Sequence, residues 1–266
     1  MVLAVAGCAS SAGNEPGGGE TSAPPPGLPA GLVVFQVETS GGFVPIDYAL
    51  GSRPTVTIYG DGTAFVTKDE DTYHPVVALR LGSVDSDRLA ELIDAADSSG
   101  LFGDVDFGRP GVTDLGTTTL AFRPRPGAPR TASAYALGFG DGDRALGLSM
   151  EQQARRHALS ALIGDLVDSV TVPAGGGTWT PDRVGVTELM DSPTNDKHAT
   201  AWPGPDLTAL LSEHTDTGPC GELSGADAAA VFAAARAATS STWTDEGKTY
   251  HLVIRALLPG EPACGE

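Results

Sequence analysis

Residues 55–67 have the sequence TVTIYGDGTAFVT, in which two runs rich in β-branched and aromatic residues flank Gly60-Asp61-Gly62. Branched and aromatic side chains favour extended backbone, whereas Gly and Asp favour the backbone conformations of a tight turn. The stretch therefore predicts an antiparallel β-hairpin. Further strands are predicted on either side of it, at residues 32–37 and 76–81.

Two amphipathic helices are predicted downstream of the hairpin. At residues 86–98, apolar side chains recur on one helical face. Gly100 follows at a position where a left-handed cap favours glycine. The second helix begins after Ser149, because Gln152 three residues later completes a capping-box pattern. The strands predicted between the two helices cover residues 117–122 and 131–137.

This order of elements predicts an α+β fold: an antiparallel sheet with two helices on one face, over residues 31–171. A glycine-rich linker is expected at residues 172–178. A small α+β unit stapled by a disulfide is predicted over residues 179–266. Its predicted elements are strands at residues 183–189 and 249–258 and a helix at residues 224–238.

The composition is that of a folded, acidic protein. Of the 266 residues, 41% are hydrophobic and 19% are charged, with 34 acidic and 16 basic side chains and a formal net charge of −18. Nucleic-acid binding depends on basic patches that neutralise phosphates. The charge balance therefore argues against a nucleic-acid partner.

The amino terminus carries a candidate lipid-attachment signal. Val5-Ala6-Gly7-Cys8 has the order aliphatic, small, small, cysteine and resembles a bacterial lipobox. The resemblance implies that diacylglycerol is attached to the sulfur of Cys8 and that the chain is cut before it. Two or three acyl chains anchor a protein stably, since each buried methylene contributes roughly 0.8 kcal/mol. The alternative is that Cys8 is an ordinary cysteine in a flexible terminus.

Residues 1–8 are predicted to be a truncated signal sequence with its lipobox. A complete signal peptide has a cationic region and a longer apolar run, so the true start is expected upstream. Residues 9–30 consist almost entirely of Ser, Ala, Gly, Pro, Glu and Thr, which predicts a disordered tether. A coil of this length spans roughly 25–30 Å.

The cysteines predict one disulfide. Once Cys8 is assigned to the lipid, Cys220 and Cys264 remain, and an even pair in an exported protein favours a bond between them. The alternatives are two free thiols or a metal pair, but neither cysteine has the partners of a zinc motif. The bond is expected to stabilise the carboxy-terminal unit alone.

A family resemblance covers residues 41–170. Its motifs are Tyr59-Gly60-Asp61-Gly62-Thr63, the Leu101-Phe102 step, and Thr113-Asp114 before the strand that contains Thr117-Thr118-Thr119. The stretch resembles small modules of unknown function in exported bacterial proteins. With its lipobox, the whole chain resembles uncharacterised exported lipoproteins of high-GC Gram-positive bacteria. The resemblance implies fold and location, and no activity.

Candidate catalytic and metal-binding residues are few. Ser149 lies in Gly-Leu-Ser-Met-Glu, which lacks the last glycine of a nucleophile elbow. Glu213-His214-Thr215-Asp216 offers two carboxylates and an imidazole to a metal, or else forms a solvent-facing loop. Further carboxylates weighed for calcium binding or glycoside hydrolysis are Asp104, Asp106, Asp114, Asp141 and Asp143.

The histidines and tryptophans could each have a structural role in packing or a functional role in catalysis or recognition. His157 lies beside Arg155 and Arg156 on a predicted helix, which indicates a solvent-facing surface, and His251 lies in a predicted strand between apolar neighbours. The remaining histidines, His74, His198 and His214, share no motif spacing with these. The three tryptophans either pack the second unit's core or form a recognition surface; they are Trp179, Trp202 and Trp243.

The sequence thus favours a membrane-anchored extracytoplasmic lipoprotein with a non-catalytic binding or accessory role. We expect it on the outer face of the cell membrane, held by the lipid on Cys8, with an envelope protein or a glycan as partner. Neither a catalytic residue, a cofactor nor a metal is expected. The alternative function is a lipid-anchored cell-envelope hydrolase that uses carboxylates or a histidine as acid and base.

Overall fold

The computed structural model describes residues 27–67, 76–139, 147–190 and 199–264. The fold of the described residues is α+β, as predicted, with five helices and two six-stranded sheets, in which every neighbouring strand pair except one in the second sheet is antiparallel. The following sequence predictions lie outside the described residues: the lipobox with Cys8, most of the tether, His74, Asp141, Asp143 and His198.

The first sheet has the strand order β4-β3-β2-β1-β5-β6, with every neighbouring pair antiparallel. Its strands are β1 (Val33–Gly41), β2 (Val56–Tyr59), β3 (Thr63–Thr67), β4 (Leu79–Ser83), β5 (Gly116–Phe122) and β6 (Arg130–Tyr135). The helices of this part of the chain are α1 (Ile46–Gly51), α2 (Ser86–Ser98) and α3 (Met150–Asp168).

The predicted hairpin is confirmed as β2 and β3, with Val56 opposite Val66. Gly62 in its turn has a φ of +82°, and a Cβ at this position would lie 2.3 Å from the carbonyl oxygen of Val84. Only glycine fits such a conformation at such a close approach.

Helices α2 and α3 cover one face of this sheet, as predicted. The side chain of Asp85 caps α2 by accepting from the backbone N–H of Arg88, and Ser149 and Gln152 form a capping box on α3. The buried helical residues pack against the aromatic pair Phe35 and Phe122, whose rings stack 4.9 Å apart. Those helical residues are Leu89, Leu92, Ala96, Leu159, Leu162 and Leu166.

The environment of Arg156 differs from the solvent-facing surface that the sequence predicts for this part of the helix. His157 and Arg155 are solvent-facing, but Arg156 is buried on the core side of α3. Its guanidinium donates hydrogen bonds to the carbonyl oxygens of Tyr135, at 3.0 Å, and Ala136, at 2.6 Å. Strand β6 ends here, because Ala136 has a φ of +51°. The arginine therefore satisfies backbone acceptors that the end of the strand leaves unpaired.

We expect Arg156→Met to lower the free energy of unfolding by about 1–3 kcal/mol, because two buried carbonyls lose charged donors. Arg155→Met is the matched control, since Arg155 forms an exposed ion pair with Glu151 on the same helix. The control should change stability by about 0.5 kcal/mol or less. Urea unfolding of both variants measures the difference, and equal effects would contradict the structural role of Arg156.

The second sheet has the strand order β8-β11-β12-β7-β10-β9. Its strands are β7 (Arg183–Glu188), β8 (Thr200–Ala201), β9 (Glu213–Thr215), β10 (Gly218–Ser224), β11 (Thr242–Asp245) and β12 (Lys248–Ala256). Helix α4 (Leu207–Leu210) precedes β9, and α5 (Gly225–Ala237) follows β10. Helix α5 covers one face of this sheet and buries Ala228, Val231, Phe232 and Ala235.

The two sheets contact each other through a shared apolar cluster. Tyr59, Phe65 and Leu79 of the first sheet pack with Leu258, which follows β12. The ring of Trp179 lies 4.7 Å from that of Phe65. Burial, followed by the charge of Glu261, raises the pKa of Tyr59 to about 12. Its hydroxyl therefore stays neutral and donates to the carbonyl oxygen of Pro259 at 3.0 Å.

Candidate binding groove

A groove runs between helix α1 and the hairpin that joins β9 to β10. Its outer compartment has a volume of about 510 Å³ and is lined by Ile46, Met190 and residues 214–219. Its inner compartment, of about 210 Å³, reaches the sheet surface at Thr187 and Arg255. Both compartments are lined by the hairpin residues Thr215, Asp216 and Thr217.

Helix α1, which follows β1 after residues 42–45, forms one wall of the groove. The helix packs on the second sheet, where Asp47 accepts a hydrogen bond from Ser241 at 3.3 Å and lies 3.7 Å from His251. Ile46 and Leu50 are four residues apart, so they share one face of the helix. That face is turned toward the groove, with Ile46 in the outer compartment and Leu50 in the inner one.

The β9–β10 hairpin forms the opposite wall. The hydroxyl oxygens of Thr215 and Thr217 lie 2.8 Å apart, and Thr215 donates to the carbonyl oxygen of Gly218 at 2.9 Å. Gly218 has a φ of +139°, and a Cβ there would lie 2.1 Å from the carbonyl oxygen of Glu188. The hairpin is thereby held close to the end of β7, next to Met190.

Exposed apolar side chains are concentrated around this groove. Ile46 and Met190 line it and are exposed, and the segment leading into α1 adds Val44 and Phe43, the latter 90% exposed. We call these four side chains the apolar rim. They are four of the seven large apolar side chains that are exposed in the described residues. Exposed large apolar side chains at a groove are typical of an interaction site.

The side chains of Glu213-His214-Thr215-Asp216, the candidate metal ligands of the sequence analysis, do not all lie on one side of the sheet. Glu213 lies opposite Cys220 and His214 opposite Pro219, so the two side chains point to opposite faces of the sheet. His214 and Asp216 line the groove. Among the described residues, the potential ligands that cluster in threes are Glu213, Cys220 and Cys264, and the two sulfurs of this group are bonded to each other.

The predicted disulfide is confirmed. Cys220 in β10 and Cys264 after β12 are bonded, with their Cα atoms 5.8 Å apart. The bond holds residues 257–264, the C-terminal strap, across the sheet face opposite α5. Arg255 donates to the carbonyl oxygens of Pro262 and Ala263, each at 3.2 Å. The strap thus lies beside the inner compartment, which Arg255 also lines.

Glu261 in the strap is the centre of an ion cluster between the two sheets. Both guanidinium nitrogens of Arg53 donate to its carboxylate, one of them at 2.7 Å. The backbone N–H of Leu258 donates to it at 2.9 Å, and Arg255 lies 3.7 Å away. The sequence contains no signal for this pair, because Arg53 and Glu261 are 208 positions apart.

The environment of Glu261 has opposing effects on its ionisation. Burial alone would raise the pKa of the carboxyl group. The hydrogen bonds and charge of Arg53, with the N–H of Leu258 and the charge of Arg255, overcome that effect and hold the pKa below its usual value. Glu261 is therefore ionised at neutral pH and acts as a fixed anionic partner for Arg53.

The other candidate residues have structural contacts. Asp106 accepts a hydrogen bond from the side chain of Gln152 at 2.8 Å, and that bond, followed by one from the N–H of Gly108, lowers the pKa of Asp106. Asp114 accepts from the hydroxyl of Thr113 at 3.0 Å. These contacts attach Asp106 to α3, whereas Asp114 bonds to its own neighbour.

The tryptophans pack rather than form a recognition surface. The rings of Trp202 and Trp243 meet edge to face at 5.5 Å, and both side chains are buried. The indole N–H of Trp202 donates to the carbonyl oxygen of Pro205. Trp179 is partly buried against Phe65. The core-packing interpretation is therefore confirmed for Trp202 and Trp243, whereas Trp179 packs between the clusters of the two sheets.

No family model matches the chain, and neither the curated proteins nor the solved structures contain a significant match to it. Among the described helices, none is both long and apolar enough to cross a bilayer.

Proposed function

We propose that the protein is a membrane-anchored extracytoplasmic lipoprotein whose folded part has a non-catalytic binding role. The observation that carries the binding role is the apolar rim around the groove. Apolar side chains that are exposed in the free protein release water when a partner covers them, and this release favours association.

The cysteines support export and anchoring. Disulfides persist in oxidising compartments, so the Cys220–Cys264 bond fits an exported protein. The bond leaves Cys8 as the one cysteine of the sequence available for lipid attachment. The low-complexity stretch at residues 9–30 would then separate the folded part from the membrane surface.

The chemistry of the groove supports binding over catalysis. Its acid–base side chains, His214 and Asp216, are both exposed. General acid–base catalysts are usually held where burial and neighbouring charges tune their pKa values. The carboxylates weighed for hydrolysis are engaged separately, Asp106 by Gln152 and Asp114 by Thr113.

Detergent phase separation tests the anchor. The protein is expressed from its native gene in the native host, and cells are fed a palmitate analogue. We expect the wild-type protein to be labelled and to enter the detergent phase, whereas Cys8→Ala should be unlabelled and aqueous because acyl chains provide the membrane affinity. Identical partitioning of the two proteins would contradict the proposal.

Incubation of the purified protein with cell-wall polysaccharide and wall peptides tests the non-catalytic role. We expect no release of soluble fragments. Turnover that is lost in Asp106→Asn or His214→Gln would instead establish the hydrolase alternative.

A further inference from the structure

We propose that the groove binds an extended, cationic segment of another polypeptide that inserts an apolar side chain into the outer compartment. This inference rests on the proposed binding role and specifies the chemistry of the partner. Three features of the site carry it: the apolar rim, the negative charge of the protein and the edge of strand β9, which pairs with no described strand other than β10.

The outer compartment is suited to an apolar anchor. Ile46 and Met190 both line it, and its volume of about 510 Å³ is within the range of ligand pockets. An aliphatic or aromatic side chain inserted there would be covered by both residues. Interfaces typically owe most of their affinity to a few such anchors in well-packed pockets.

The charge of the protein favours a cationic partner. The chain has a formal net charge of −18, and the groove wall itself carries the exposed carboxylate of Asp216. Arg255, the cation that lines the inner compartment, lies 3.7 Å from the carboxylate of Glu261 and donates hydrogen bonds to the strap. Complementary charge steers association and excludes partners of like charge. An anionic membrane surface and a second copy of this acidic chain are both disfavoured on that ground.

Strand β9 favours an extended partner. Among the strands that the structure describes, it is the last one of the second sheet, and it is paired with β10 on one side. The other side of an edge strand presents backbone N–H and C=O groups that an added strand can pair with. Because His214 and Thr215 belong to both β9 and the groove wall, a strand added there would run along the groove.

The test uses two synthetic peptides and the full-length chain with Cys8→Ser. One peptide alternates lysine and leucine, so that an extended conformation places leucine on one face and lysine on the other. The other peptide has glutamate in place of lysine. Titration calorimetry measures binding of each peptide. We expect the lysine peptide to bind with an affinity that falls as salt is added. The glutamate peptide should bind about tenfold more weakly or not at all.

Variants locate the binding site. Met190→Gln and Asp216→Asn should each weaken binding of the lysine peptide about fivefold to tenfold, because one removes apolar contact and the other removes the charge. Met150→Gln is the matched control, since Met150 is also exposed but lies at the start of α3, outside the groove. All substitutions are at exposed positions, and unchanged unfolding midpoints would show that each variant is folded.

The remaining outcomes distinguish the inference from the proposed function. Equal affinity for both peptides, or binding that Met190→Gln leaves unchanged, would overturn the cationic-segment inference. Binding to phosphatidylcholine–phosphatidylglycerol vesicles, or self-association in sedimentation, that Met190→Gln abolishes would also overturn it while leaving a binding role for the groove. Failure of peptides, vesicles and self-association together would overturn the binding role as well.

Discussion

Glu261→Gln is expected to lower the free energy of unfolding by about 2–3 kcal/mol. Arg53 is 3% exposed, and its two-nitrogen contact with Glu261 would be replaced by a contact with a neutral amide that cannot accept both hydrogen bonds. Removing one partner of a buried ion pair leaves the other charge uncompensated. Glu261 is 23% exposed, which places the expected loss below the range for a wholly buried pair. Urea unfolding at neutral pH measures it.

Glu222→Gln is the matched control. Glu222 also accepts two hydrogen bonds from one guanidinium, that of Arg183. However, the side chains of this pair are 36% and 37% exposed, so solvent screens their interaction. We expect a loss of about 0.5 kcal/mol or less. Comparable effects of Glu261→Gln and Glu222→Gln would contradict the importance assigned to burial of the Arg53–Glu261 pair.

The contribution of Glu261 should also depend on pH. Because folding lowers the pKa of this carboxyl group, the stabilisation is fully present above the ordinary glutamate value of 4.5 and is lost as the pH falls through the folded-state pKa. The difference in stability between wild type and Glu261→Gln should therefore be constant near neutrality and shrink below pH 4.5. A difference that grows with acidification would contradict the lowered pKa.

Reduction of the Cys220–Cys264 bond is expected to lower the free energy of unfolding by about 4 kcal/mol. The bond closes a loop between positions 44 apart, and a closed loop restricts the unfolded chain. The measurement compares oxidised and reduced protein in denaturant, in a Cys8→Ser background where reductant acts on this bond alone. A free-thiol assay that finds both sulfurs reactive in the folded, oxidised protein would contradict the pairing.

The structure extends the expected effect of the disulfide beyond the carboxy-terminal unit. The strap that Cys264 holds also carries Glu261 to Arg53 and places Pro259 opposite the hydroxyl of Tyr59. Reduction should therefore weaken contacts between the two sheets. In a double-mutant cycle, Glu261→Gln should cost less stability in the reduced protein than in the oxidised one. Additive effects would confine the disulfide to the second sheet.

The elements that the sequence predicts well are those with strong local patterns. The hairpin around Gly62, helix α2 over Ser86–Ser98 and the capping box at Ser149 each follow from residue preferences within a few positions. Strands β8, β9 and β11 and helix α4 are only two to four residues long, and β10 begins with Gly218 and Pro219, so the sequence predicts none of these elements. Their strand structure depends on pairing with β7 and β12.

For Arg156, the local sequence pattern predicts exposure to solvent, but the side chain is buried. A run of two arginines and a histidine on a helix indicates a solvated face, and that is correct for Arg155 and His157. Arg156 lies one helical step further round, where its guanidinium meets the carbonyl oxygens at the end of β6. The acceptors belong to a strand some twenty positions earlier, so no pattern within the helix indicates them.

The sequence by itself determined the α+β class, the principal helices and the disulfide, because backbone preference and a small number of cysteines are local or compositional properties. Only the tertiary structure decided the Arg53–Glu261 pair and the groove between α1 and the β9–β10 hairpin. Each of these joins segments more than a hundred positions apart. Their contact depends on how the C-terminal strap and α1 cross the second sheet. The packing of whole elements therefore places those side chains together, and the residue pattern within any one element does not predict it.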